Sequence, residues 1–391
     1  MKNIKENDTI RISNENEAFA LFKQVDADTI WQNCYTNELE AVEIPNAPIL
    51  VGEVRTKFSC DPSVSDESIF ENMESFNLGV KVPFENGYHG YPLGDTAYGS
   101  LIQRAGYGAS PVLMTLTDKA SQNMMPSARK AEVINLGLDC YKNKVLVMIR
   151  DEKIRAVHSG DESDYSRLPM SELAEILRDE LLNAYSDIVF SGAGIDHYFT
   201  TIEYVINDAV TKDAIDDVFD RAMIDTHNME LCVKLITSDV GISGANLYPC
   251  LKGAGKLMML GTPMVLTHKH KHSPQDFAEN VRKVASMFKD ATSRLAEMEK
   301  KVLKNPEGCF LRLAKQIGFG KIPSVEAASS FVAMYGTRPS QLDLYWALQE
   351  LYEGITSAKN INEQRKITLQ ENLARLAFGD LEGYDLPFNW E

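Results

Sequence analysis

The sequence predicts an α+β protein: a mixed or antiparallel sheet core with flanking helices, a long amphipathic helix and a C-terminal helical bundle. Three observations predict it. Between residues 144 and 266, β-rich runs separated by turns follow one another with few crossover helices, which favours an antiparallel or mixed sheet over a doubly wound parallel one. From Phe277 to Val302, apolar residues recur in alternating steps of four and three, the spacing of a helix that packs along its length. After Asn305 the pattern is helical only, with Gly318, Gly336 and Gly379 just past three of the ends. At 391 residues the chain exceeds what one core usually serves, and we divide it into an α+β domain (1–272) and a helical region (273–391).

Taken in order, Phe19, Phe22 and Val25 share one side of a helix over residues 15–25, and NAPILVGEVRT reads as a strand after Pro48. Residues 60–126, dense in Gly and Tyr, read as ordered loops around a site or as irregular surface. A helix is expected from Ser127 to Tyr141. KVLVMIRDEKIRAVHSG then reads as a β-hairpin turning at Asp151-Glu152-Lys153. MSELAEILRDELLNAY is an amphipathic helix, and DIVFSG, HYFTTIEYVIND, MELCVKLITSD and LMMLGTPMVLTHKH supply four strands around an acidic, helix-leaning insert near Asp213 to Ile224. The long helix begins with a capping serine, Ser273, then Pro274 at the first helical position and Asp276 at the positive end of the dipole. Its seam from Phe277 to Val302 faces another helix, within the chain or across a dimer. The bundle comprises Gly308 to Ile317, Ser324 to Tyr335, Ser340 to Tyr352 and Asn362 to Phe378.

Charge is unevenly spread. Of the net −16, residues 151–250 carry 7 basic against 20 acidic side chains, whereas residues 251–304 carry 11 basic against 5 acidic. The basic window could track a nucleic-acid backbone, each neutralised phosphate adding salt-sensitive affinity, through Lys269, Lys271, Arg282, Lys283, Lys289 and Arg294. Alternatively it faces the acidic window of the same or a neighbouring chain. A surface otherwise so negative would repel a long duplex, so nucleic-acid contact should be local or single-stranded. The bundle's net −3 argues against a DNA-reading helix-turn-helix.

Six cysteines, never spaced as CxxC, read as reduced core residues, and the sequence has neither a membrane-spanning apolar run nor a signal-peptide apolar region, so a cytoplasmic location is expected. His268, His270 and His272 alternate with lysines and would share one face, as metal ligands can, if the strand before them continues that far. Asp196-His197, and His158 near Asp161, each set an acid beside an imidazole. LKGAGKLMM lacks the spacing and the hydroxyl of a phosphate loop, and no catalytic motif appears; no cofactor is implied.

Taken in order, IRDEKIRAVHSGDESDYSRLPMSELAEIL, LCVKLITSDVGISGANLYPCL, VLTHKHKHSPQDFAENV and DLYWALQELYEG resemble the phage- and plasmid-type proteins grouped as domain of unknown function 932, over roughly residues 140 to 355. The resemblance implies a mobile genetic element as setting and transfers no catalytic residue. The expectation is a non-enzymatic accessory protein of a phage, plasmid or conjugative element that acts on single-stranded DNA or a nucleoprotein partner. The alternative is an acidic interaction protein in counter-defence, of antirestriction type, and a third option is a metal-dependent enzyme using the three histidines.

Overall fold

The alternating runs after residue 187 close into one antiparallel sheet. The computed structural model describes residues 8–44, 51–75, 77–108, 127–161, 164–253, 255–269, 272–357 and 361–390. Strands are numbered in chain order: β1 (Ile10–Ile12), β2 (Ile30–Tyr35), β3 (Glu40–Glu43), β4 (Leu78–Phe84), β5 (Gly87–Pro92), β6 (Lys144–Arg150), β7 (Lys153–Ser159), β8 (Ile188–Ile195), β9 (Thr200–Ile206), β10 (Glu230–Thr237), β11 (Ala245–Gly253), β12 (Lys256–Met259) and β13 (Met264–Leu266). The larger sheet runs β1-β8-β9-β10-β11-β12, with β13 also on β11; β2-β6-β7 and β3-β4-β5 form two three-stranded sheets. Every paired strand is antiparallel to its neighbour. The α+β expectation is met in its antiparallel form.

Apolar burial groups the elements around two main cores. One joins helices Glu15–Asp28 and Met170–Ala184 to the larger sheet and to the helices after residue 273. The other gathers β2 to β7 with helices Val51–Phe58, Asp66–Ser75, Asp95–Arg104 and Ser127–Cys140. A smaller cluster on the outer face of the larger sheet, including Cys232, Tyr248, Cys250 and Met259, is covered by Ile367 and Ala374 of helix Glu363–Ala377.

The expected strand through NAPILVGEVRT is corrected: residues 45–50 lie outside the described residues, and Val51–Phe58 is a helix. Val54 and Phe58, four residues apart, bury one face of it, so a helical period competes with the β-branched composition there. The Phe58 ring occupies the space over Gly79 and Gly90, where a Cβ on Gly79 would come within 2.2 Å of it. Residues 60–108, read as irregular, hold helix Asp66–Ser75, the β4–β5 hairpin and helix Asp95–Arg104; most of the remaining stretch, 109–126, lies outside the described residues.

The β6–β7 hairpin turns at Asp151 and Glu152, both left-handed (φ 54° and 64°), the two-residue turn whose twist suits a tight hairpin. The run LMMLGTPMVLTHKH breaks into β12 and β13, and the glycines of LKGAGKLMM close the β11–β12 hairpin. The long helix divides at Arg282-Lys283 into Pro274–Val281 and Val284–Lys300. Its start is as expected: the Asp276 carboxylate accepts from the Ser273 backbone N–H (2.7 Å). Its seam, Phe277 to Met298, is buried in the chain's own core, the first of the two arrangements expected for it; Val302, past the helix end, is exposed.

Candidate binding cleft between the two cores

Burial of aromatic and cationic side chains where the two cores meet creates the most distinctive site. Helix Asp95–Arg104 lies along β7: the Val157 backbone N–H donates to the Ser100 hydroxyl (3.0 Å) and the Thr96 hydroxyl to the Arg155 carbonyl (2.7 Å). This carries Ser100, Gln103 and Arg104 over the end of β7, where His158, Ser159 and Gly160 follow. From the larger sheet, the β10–β11 loop brings Val240 to Gly244, and the segment after β13 brings Thr267, His268 and Lys269. Together they line a cavity of about 1040 Å3. A second cavity, about 400 Å3, shares Arg104, Ser159, Gly160 and Asp164 and extends the cleft to Tyr141 and Lys144.

A stack of rings forms the inner wall. Tyr165 lies 3.9 Å from His158 and 5.1 Å from His268 between ring centroids, and Trp31 stands 5.8 Å from His158 with Arg167 over its face. The Tyr165 hydroxyl donates to the Asp239 carbonyl (3.0 Å), and burial holds its pKa well above that of a free phenol. His268 Nδ1–H donates to the Ser166 carbonyl (3.0 Å), while the Ser166 backbone N–H donates to the His268 carbonyl (2.9 Å). The neutral ring of His268 therefore keeps its lone pair on Nε2. Burial drives both imidazoles toward the uncharged form: His158 is pushed down to about 4, and His268 is lowered for the same reason. Among the described residues neither Nε2 has a hydrogen-bond partner, and the buried Ser166 and Ser238 hydroxyls have none there either. Tyr165 and His268 also back a third cavity, about 200 Å3, lined by Asp26, Trp31, Arg167 and Asp239.

The charges are unequal around this wall. Arg150 is buried in an ion pair with Asp239, a bidentate approach that neutralises both. Arg104 has no such partner among the described residues: the hydrogen bond it makes there is a long one (3.4 Å) to its neighbour Gln103, and its Nε is buried with no acceptor among them. Burial without a counter-ion lowers its pKa. Lys269 is exposed at the rim.

The residues expected from sequence fall in several places. Arg282 is bound bidentately by Glu180 (2.6 and 2.9 Å), inside the acidic window, and Arg294 donates to the carbonyls of Phe378 (3.3 Å) and Gly379 (2.6 Å), closing the end of helix Glu363–Ala377. Lys283 and Lys289 are exposed, remote from the cleft lining. Lys271 and His270 lie outside the described residues. β13 ends at Leu266, so the premise that a strand aligns the histidines fails: His268 turns into the ring stack and His272 stands 3.6 Å from Asp276. Among the described residues no group of three His, Cys, Asp or Glu side chains could hold a metal ion. Asp196 and His197 diverge: the Asp196 carboxylate accepts from the Tyr198 and Phe199 N–H groups (2.7 Å each), whereas the His197 ring lies 3.8 Å from Asp151. Asp161 takes Lys144 (2.7 Å) and leaves His158 to the stack.

Four cysteines are buried, Cys60 is half-buried and Cys140 is exposed, all as free thiols. No helix among the described residues is long and apolar enough to cross a membrane. Comparison with models of known protein families, with curated proteins and with solved structures finds no match to this chain. The family resemblance therefore rests on the sequence runs alone.

Proposed function

We propose that the chain binds a short stretch of single-stranded nucleic acid in the cleft between its two cores. The observation that carries this reading is Arg104, a half-buried guanidinium with no carboxylate partner among the described residues, set in the same cavity as Lys269. A desolvated cation is costly unless an anion completes it, and a planar guanidinium matches phosphate oxygens. The glycine and serine loop Gly241 to Gly244 lets a backbone approach closely, and Gly241 is left-handed (φ 82°). Tyr141, 44% exposed at the far end, offers a ring on which a base can stack. The negative remainder of the surface favours a short, flexible strand over a duplex. The basic segment named from sequence contributes Lys269; Arg282 and Arg294 serve the fold. The setting of a phage, plasmid or conjugative element rests on the family resemblance.

Fluorescence anisotropy with a labelled oligothymidylate at two salt concentrations tests the reading. Wild type should bind weakly and lose affinity with salt, and Arg104→Ala should reduce the slope of log K against log salt by about 0.7, the share of one phosphate on a single strand. A mononucleotide arm separates a strand from a single nucleotide as ligand. Absence of oligonucleotide binding at both salts, or an unchanged slope in the variant, overturns it.

A second reading, an acidic protein-interaction surface, is favoured by the net charge of −16 and by the Arg282–Glu180 pair, which spends part of the basic window on the chain's own acidic side. Binding of a basic protein partner that survives nuclease treatment and is unaffected by Arg104→Ala would support it.

A further inference from the structure

The outer face of the larger sheet holds another cavity, about 520 Å3, which shares no lining residue with the cleft or the ring stack. Its floor is polar because three neighbouring strands each place a charge on the same face. Glu203 on β9 stands directly across from Lys234 on β10, and Lys252 reaches them from β11. Both ammonium groups contact the one carboxylate: Lys234 Nζ donates to Glu203 Oε1 (3.1 Å) and Lys252 Nζ to Oε2 (2.6 Å). Lys252 also donates to the Ser191 hydroxyl (2.6 Å). Ser191 is the extra residue of a bulge in β8, where Gly192 adopts φ 149°, and the bulge re-aims that hydroxyl.

The lining holds three cations, Arg11, Lys234 and Lys252, and three carboxylates, Asp196, Glu203 and Glu363, but they do not pair one to one. Glu203 is held below the usual carboxylate range by the two lysines, so it is ionised and neutralises one of them. Asp196 faces the backbone N–H groups of its own turn, and Glu363 at the rim is taken by Arg11 and Lys366. Lys234 has an ammonium with three donors and, among the described residues, one acceptor for them, although only 8% of the residue is exposed. Two ammonium groups that share one carboxylate beside a cavity of this size form the arrangement that a bound anion completes.

We propose that this cavity is a site for a small anion, the phosphate or carboxylate group of a metabolite-sized ligand, gripped by Lys234 and Lys252 with Glu203 as their spacer. It is independent of the nucleic-acid reading, so Arg104→Ala should leave it intact. Thermal unfolding of the full chain in sodium phosphate and in sodium acetate, against sodium chloride at equal ionic strength, tests it. One or both anions should raise the Tm of the wild type, and the one that acts identifies the group. Lys252→Ala, in which a third-exposed side chain is lost, should weaken the anion about tenfold, the worth of one charge-assisted hydrogen bond. Glu203→Gln, which releases both ammonium groups, should enlarge the anion-induced shift even though its own Tm falls, an effect that a structural role would not produce. No shift in wild type, or a shift that Lys252→Ala and Glu203→Gln leave unchanged, overturns the proposal.

Discussion

The inter-core cleft and the sheet-face cavity both bury titratable side chains, and they resolve the cost in opposite ways. In the cleft, His158 and His268 are surrounded by rings and give up their charge, so His158 titrates near 4. On the sheet face, Lys234 is as deeply buried and desolvation pulls its pKa down, yet the net direction is up, with the charge and hydrogen bond of Glu203, 3.1 Å away, foremost among what opposes burial. Burial alone therefore does not decide ionisation. The presence of one ionised partner does, and it makes the first region acid-sensitive and the second dependent on a single carboxylate.

The comparison can be broken most severely at Glu203. Glu203→Ala leaves two cations on the sheet face without their shared partner and should cost about 3–5 kcal/mol, read as a lower urea midpoint. Acidification should strike the cleft next. A folded pKa below the unfolded value of 6.5 means that the unfolded chain binds the proton first, so the His158 contribution is complete above pH 6.5 and is lost as pH falls from 6.5 toward 4. The loss approaches about 3 kcal/mol, and His158→Phe should flatten that part of the urea-midpoint profile. Tyr165→Phe keeps the ring stack and removes only the bond to the Asp239 carbonyl, for about 1 kcal/mol in the same assay. Arg104→Met should change stability by no more than about 0.5 kcal/mol, or raise it, because no carboxylate among the described residues is orphaned. A large loss there would mean that Arg104 serves the fold instead of a ligand.

Much of the fold was legible because its signals are local. The hairpin turn at Asp151-Glu152, the Ser273 cap, the Met170–Ala184 helix and the four bundle helices each announce themselves within a few residues. The errors come from competition between periods: Val51–Phe58 has β-branched residues but a helical spacing of buried ones, and the heptad seam after Phe277 gives no sign of its break at Arg282. The candidate sites were less legible. Trp31, Arg104, Tyr165 and His268 are separated by up to 237 positions and meet only because the two cores pack together; of these only His268 had been singled out, and for a different chemistry. Lys234 interrupts the apolar run LCVKLI at the centre of its strand, and that charge was the signal available. What sequence could not supply is the acceptor across the strand.

The pairing of β1 with β8 has a consequence for how the chain is made. Ile10 meets Ile195 across the strand pair, while the whole of β2 to β7 lies between them in sequence. At about 5–20 residues per second, a ribosome releases β1 on the order of ten to forty seconds before its partner exists. The smaller core can assemble during that interval from residues already synthesised. The larger sheet must instead recruit an edge strand made before the whole smaller core, with the apolar face of helix Glu15–Asp28 (Ala18, Phe19, Phe22 and Val25) still uncovered on the nascent chain.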